Sequence, residues 1–102
     1  IADPNVRETA YSGTPLAAMK SFLSEGLAPL APRYPSIKMP MLLYTSVQDH
    51  VVQPSDSDAV AATYGGPVER VMLERSYHVA TQDYDKDIIF AGAVAFVNRV
   101  TA

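Results

Sequence analysis

Apolar positions along the chain follow two unlike rhythms. Met41 to Tyr44 is an unbroken apolar run entered from Pro40, without the alternation of a half-exposed strand. That pattern predicts an interior strand of a parallel sheet, covered on both faces. Val68 to Glu74 mixes Val71 and Leu73 with Glu69, Arg70 and Glu74, which predicts a second and less buried strand. Between them, Pro54 and Ser55 precede Asp56 to Tyr64, where Ala59, Val60, Ala61 and Ala62 favour helix and Asp56 and Asp58 suit its positive end. Gly65-Gly66-Pro67 predicts its stop, through a left-handed glycine cap followed by a residue that cannot continue the ladder. Parallel strands require a crossover, and this helix supplies one.

The flanks carry the helical rhythm. Thr14 before Pro15 predicts an N-cap with proline in the first turn. Leu16, Met19, Phe22, Leu23 and Leu27 then form one stripe, with Gly26 and Pro29 placing its end near residues 25 to 28. Ala28 to Pro40 contains Pro29, Pro32, Pro35 and Pro40, which predicts a stiff, extended connector whose Leu30, Tyr34 and Ile37 pack. Asp85 to Val100 closes the chain as a helix with a stripe of Ile89, Ala93, Phe96, Val97 and Val100. Ile1 to Gly13 is polar and punctuated, and reads as a loop. The order is helix, strand, helix, strand, helix.

Composition narrows the function classes. The chain has 102 residues, 48% of them hydrophobic, with a formal net charge of −3, which describes one globular unit rather than a disordered tail. Its few Lys and Arg form no basic stripe, so a nucleic-acid partner is not expected. No apolar run approaches the roughly 18 to 20 residues of a membrane span, and no transmembrane segment is expected. The absence of cysteine removes disulfides, thiolate chemistry and Cys-ligated metal, and leaves the compartment open, with the cytoplasm favoured.

The candidate chemistry gathers after the two strands. Ser46, Gln48, Asp49 and His50 follow the first, and Ser76, Tyr77 and His78 follow the second. Ligand chemistry in open α/β sheets sits beyond the carboxyl ends of strands. Histidine shuttles protons near neutral pH, and an adjacent carboxylate fixes its tautomer, so Asp49 and His78 suit those roles. A lone Asp after a strand is also an ordinary turn former, and a lone His an ordinary surface group. What singles out the pair is its order, Asp then His at successive strand ends, as in the Ser, Asp, His order of α/β-hydrolases. Val51, Val52 and Val79 flank the pair and suit either an ester pocket or packing. Asp83 and Asp85 fit helix capping better than metal binding.

Asp-His-Val-Val at 49 to 52 with Pro54, and Ser-Tyr-His-Val-Ala-Thr-Gln-Asp-Tyr-Asp at 76 to 85, closely resemble the C-terminal segments of bacterial monoacylglycerol lipases and related carboxylesterases. Tyr11-Ser-Gly-Thr-Pro resembles the segment that follows the cap in that group. The resemblance implies the C-terminal part of an α/β-hydrolase fold, with Asp49 as orienting acid and His78 as general base. It gives His50 no role. Residues 1–40 would be the post-cap helix and Pro-rich connector, and 41–102 the strand-helix-strand-helix unit carrying the pair. The substrate implied is a small ester or acylglycerol, with Val51 and Val79 as candidate binding residues, and no cofactor or metal is expected.

The chain departs from the family in having no Gly-x-Ser-x-Gly, so the nucleophile and an oxyanion hole are absent from these residues. Ser46, Ser55 and Ser76 do not stand on a strand-to-helix elbow. The chain therefore reads as part of a domain whose other half is a required partner, inactive by itself and poorly folded alone. Other chemistry on this fold, as in haloalkane dehalogenases or epoxide hydrolases, would place an Asp at the missing elbow. A non-catalytic truncated module is the remaining alternative.

Overall fold

The computed structural model describes residues 1–102. Two strands, β1 (Met41–Ser46) and β2 (Val68–Leu73), pair in parallel, with Met41 opposite Val68 and Ser46 opposite Leu73. The strand thus continues past the apolar run through Thr45 and Ser46, polar residues that are the most buried of β1. β1 has one strand neighbour, so Met41 to Tyr44 are half-buried here rather than covered on every side.

The crossover helix, α1 (Pro54–Thr63), begins at Pro54, whose missing N–H costs nothing in a first turn. It ends as expected before the glycines, but for a different reason. No residue of the chain has a positive φ, so neither glycine is a left-handed cap. Space is what requires them: a Cβ on Gly65 would lie 2.0 Å from the Pro35 carbonyl oxygen, and one on Gly66 would lie 2.4 Å from that of Met39. The chain passes so close here that the Gly65 N–H donates to the Tyr34 carbonyl at 3.0 Å.

That connector is itself a correction. The extended segment expected over Ala28 to Pro40 contains a 3₁₀ helix at Ala31–Ser36. Pro32 and Pro35 lack N–H groups, but single i→i+3 bonds suffice around them, from Arg33 N–H to the Leu30 carbonyl at 2.8 Å and from Ile37 N–H to that of Tyr34 at 3.2 Å. The preceding helix, Leu16–Ser21, starts one residue later than expected. Pro15 is extended, with ψ of 110°, so it flanks the first turn and no side chain caps it. The helix widens into a π-helical stretch, Phe22–Leu27, where the Ser24 hydroxyl donates to the Lys20 carbonyl at 2.9 Å and competes with the backbone ladder.

The last helix, α2 (Lys86–Val100), lies against the sheet through Tyr44, whose hydroxyl donates to the Ile89 carbonyl at 3.3 Å. Gly92 makes room for this contact, since a Cβ there would lie 2.1 Å from the Tyr44 hydroxyl oxygen. Only six residues are buried, and Leu73 is the single apolar one. The stripe from Leu16 to Leu27 lies open to solvent, as do Ile88, Phe90 and Val94 of α2. No helix is long and apolar enough to cross a membrane.

Candidate active site

Because β1 and β2 run in the same direction, both deliver their following loops to one edge of the sheet. The loop after β1 turns at Asp49, whose N–H donates to the Ser46 carbonyl at 3.3 Å. The loop after β2 carries His78. Between them His78 Nδ1 and Asp49 Oδ2 are 2.8 Å apart. The other oxygen, Oδ1, accepts the Val51 N–H at 2.8 Å and the Val52 N–H at 2.9 Å, so the carboxylate cannot rotate without breaking contacts.

Burial pushes the Asp49 carboxyl upward, but the Val52 N–H, the His78 ring and the Val51 N–H outweigh it and hold the group below the usual carboxylate value. An ionised carboxylate only accepts hydrogen bonds, so it selects the tautomer with the proton on Nδ1. Nε2 is then left with a free lone pair, the form of the ring that can take a proton from a hydroxyl. The Asp49 side chain is 14% exposed and that of His78 is 44%, so the carboxylate is shielded while the imidazole remains accessible.

The loop carrying His78 is held by polar groups rather than by apolar packing. The Ser46 hydroxyl donates to the Tyr77 carbonyl at 2.9 Å. Asp85 Oδ2 accepts the Arg75 N–H at 3.0 Å and the Ser76 N–H at 2.9 Å, while the Ser76 hydroxyl accepts the Asp85 N–H at 2.8 Å. Asp83 accepts the Tyr77 N–H at 2.9 Å. Asp83 and Asp85 are therefore not the helix caps expected from their position: their carboxylates turn back onto the histidine loop, and no side chain caps α2. Burial of Asp83 opposes ionisation, yet N–H donors from Ala2, Tyr77, Tyr84 and Asp3 hold its pKa at about 2. Ser46 and Ser76 thus support the loop, and Ser55 is exposed. His50 is exposed too, its ring edge-on to Tyr77 at 4.4 Å between centroids.

Beside the pair opens a cleft of about 540 Å³. Tyr44, Leu73, Ile89, Val52 and Val79 give it apolar wall, and Asp49, His78, Ser46, Ser57 and Glu8 give it polar wall. Of the two valines expected at an ester pocket, Val79 lines this cleft and Val51 does not; Val51 is 72% exposed, and Val52 takes the lining position. Glu8 was missed in the sequence because it lies in a segment without periodicity, and no local pattern connects it with residues so far along the chain. Ile89 was legible as part of the α2 stripe but not as cleft wall.

No family model matches the chain. Thermostable monoacylglycerol lipase of Bacillus sp. (strain H-257) is 33% identical to it over 97 residues, which cover 94% of this chain and 38% of that protein. A solved structure connected with LipS and LipT, two metagenome-derived lipolytic enzymes, matches it with a TM-score of 0.89 at 36% identity, over 96% of this chain and 40% of that one. The chain is an α/β-hydrolase-like C-terminal segment. It spans about two fifths of the length of these relatives. The parallel pair and the helices beside it are accounted for by that fold.

Proposed function

We propose that this segment supplies the orienting acid, Asp49, and the general base, His78, of a serine carboxylic-ester hydrolase of the monoacylglycerol lipase or carboxylesterase kind. The nucleophilic serine and the oxyanion hole belong to the other half of the same domain, upstream of these residues. His78 Nε2 takes the serine proton as the oxygen attacks the ester carbonyl, and returns it to the departing alcohol. Water activated by the same nitrogen then releases the acid from the acyl-enzyme. Asp49 remains ionised throughout and balances the imidazolium. Val79 and Val52 border the acyl or alcohol moiety of a small ester or acylglycerol, while Val51 serves Asp49 through its backbone N–H. No cofactor takes part in this chemistry, and the segment alone is inactive.

The observation that carries the reading is the 2.8 Å contact between Asp49 and His78 at the mouth of a partly apolar cleft. The lipolytic names of both relatives favour a serine over the aspartate nucleophile of a dehalogenase or epoxide hydrolase. The test uses the full-length protein. His78→Ala abolishes turnover of a short-chain ester, and Asp49→Asn lowers kcat on the order of 10⁴-fold through the wrong tautomer. Near-normal turnover by a folded His78→Ala protein would end the assignment.

A further inference from the structure

The carboxylate of Asp83 is nearly sealed from solvent, at 2% exposure, and both of its oxygens are shared between distant parts of the chain. Oδ2 accepts the Ala2 N–H at 2.6 Å and the Tyr77 N–H at 2.9 Å. Oδ1 accepts the Asp3 N–H at 3.0 Å and the Tyr84 N–H at 2.9 Å. Each oxygen therefore joins the start of the chain to the segment around His78. No cation pairs with this carboxylate. Its charge is balanced by backbone N–H groups alone, which fixes its direction as a flexible lysine would not.

We propose that Asp83 is a positioning residue for His78, clamping the segment at Ala2 and Asp3 to the histidine loop so that the imidazole stays against Asp49. This rests on the reading of His78 as the general base. The peptide group entering Tyr77 is held by Asp83 through its N–H, and the one leaving it toward His78 is held by the Ser46 hydroxyl through its carbonyl. The backbone immediately before the histidine is thereby fixed from both sides. Loss of the Asp83 contact frees one side, and a misplacement of about 1 Å at a catalytic group costs roughly 10²-fold in rate.

Asparagine at this position is nearly isosteric but cannot substitute. Its amide replaces one oxygen with a donor, and because each oxygen serves both segments, either orientation sets that donor against one N–H from the start of the chain and one from the histidine side. The experiment compares wild-type, Asp83→Asn and Ala2→Pro in the full-length protein, the last removing one N–H donor while leaving the carboxylate intact. Ester kinetics are measured with the proton resonance of the His78 Nδ1–H. Asp83→Asn is expected to lower kcat about 10- to 100-fold with KM within about twofold, and to broaden or shift the Nδ1–H signal in a protein that still unfolds cooperatively. A folded Asp83→Asn protein with wild-type kcat and an unmoved signal overturns the proposal. If Asp83→Asn does not fold, Ala2→Pro decides: a fall in kcat at unchanged KM supports the clamp, and wild-type kcat overturns it. Turnover that survives His78→Ala instead removes the underlying reading of the base, a result distinct from either.

Discussion

Residues 1–102 produced alone are expected not to fold cooperatively. The chain exposes 7427 Å², whereas a compact monomer of its 11.0 kDa exposes about 5600 Å². Its radius of gyration is 15.5 Å, against about 13 Å for a compact domain of this length. The excess is thus on the order of 1800 Å², and with somewhat more than half of protein surface apolar, about 1000 Å² of it is apolar area left in water. At roughly 25 cal/mol per Å² that forfeits about 25 kcal/mol of burial, more than the roughly 5 to 15 kcal/mol net stability of an ordinary domain. The assay is thermal unfolding followed by near-ultraviolet circular dichroism, with dye binding to exposed apolar surface and sedimentation to define the monomer. A broad or absent transition with strong dye binding is the expected result. A sharp transition in a soluble monomer would refute the argument from area.

Two further outcomes follow from single residues, both measured on the full-length protein. The folded pKa of Asp83 is depressed to about 2 from 3.8, so its contribution is complete above the higher value and is lost as pH falls through the lower; it amounts to about 2 kcal/mol. The stability difference between wild-type and Asp83→Asn should therefore shrink by that amount between about pH 4 and pH 2 in denaturant titrations, and a difference independent of pH contradicts it. Gly92→Ala should destabilise by about 1 to 3 kcal/mol, because its methyl would meet the Tyr44 hydroxyl, and Tyr44→Phe should recover most of that loss in a double-mutant cycle. Additive effects would show that the two do not compete for the same space.

Periodicity was sufficient for the elements that carry the pair. The apolar run at Met41 and the mixed run at Val68 became β1 and β2, joined by a helix that forces parallel pairing, and this alone brings Asp49 and His78 to one edge. What escaped was decided by contacts between distant segments. Gly65 and Gly66 look like a helix cap, yet the Pro35 and Met39 carbonyls are what exclude a side chain there. Asp83 and Asp85 look like acids at a helix start, yet their partners are N–H groups at residues 2, 3, 75, 76, 77 and 84. A one-dimensional pattern records which residues are apolar, not which backbone amides lack a partner. The prolines of the connector misled for a related reason: a missing donor forbids a regular α-helix but not a short 3₁₀ turn.

Asp49 and His78 are 29 residues apart, within a single strand-helix-strand unit. Loop-closure entropy grows only as the logarithm of length, so closing this loop costs little more than closing one half as long, about 0.6 kcal/mol for the doubling. Pairing β1 with β2 closes it, and Asp49 and His78 come into reach of each other in that same step rather than through a separate long-range search. The unit is thus a self-contained cassette in topological terms. Circular permutation that keeps Met41 to His78 contiguous should preserve this encounter, whereas a break within α1 would turn one short closure into a search across the whole chain.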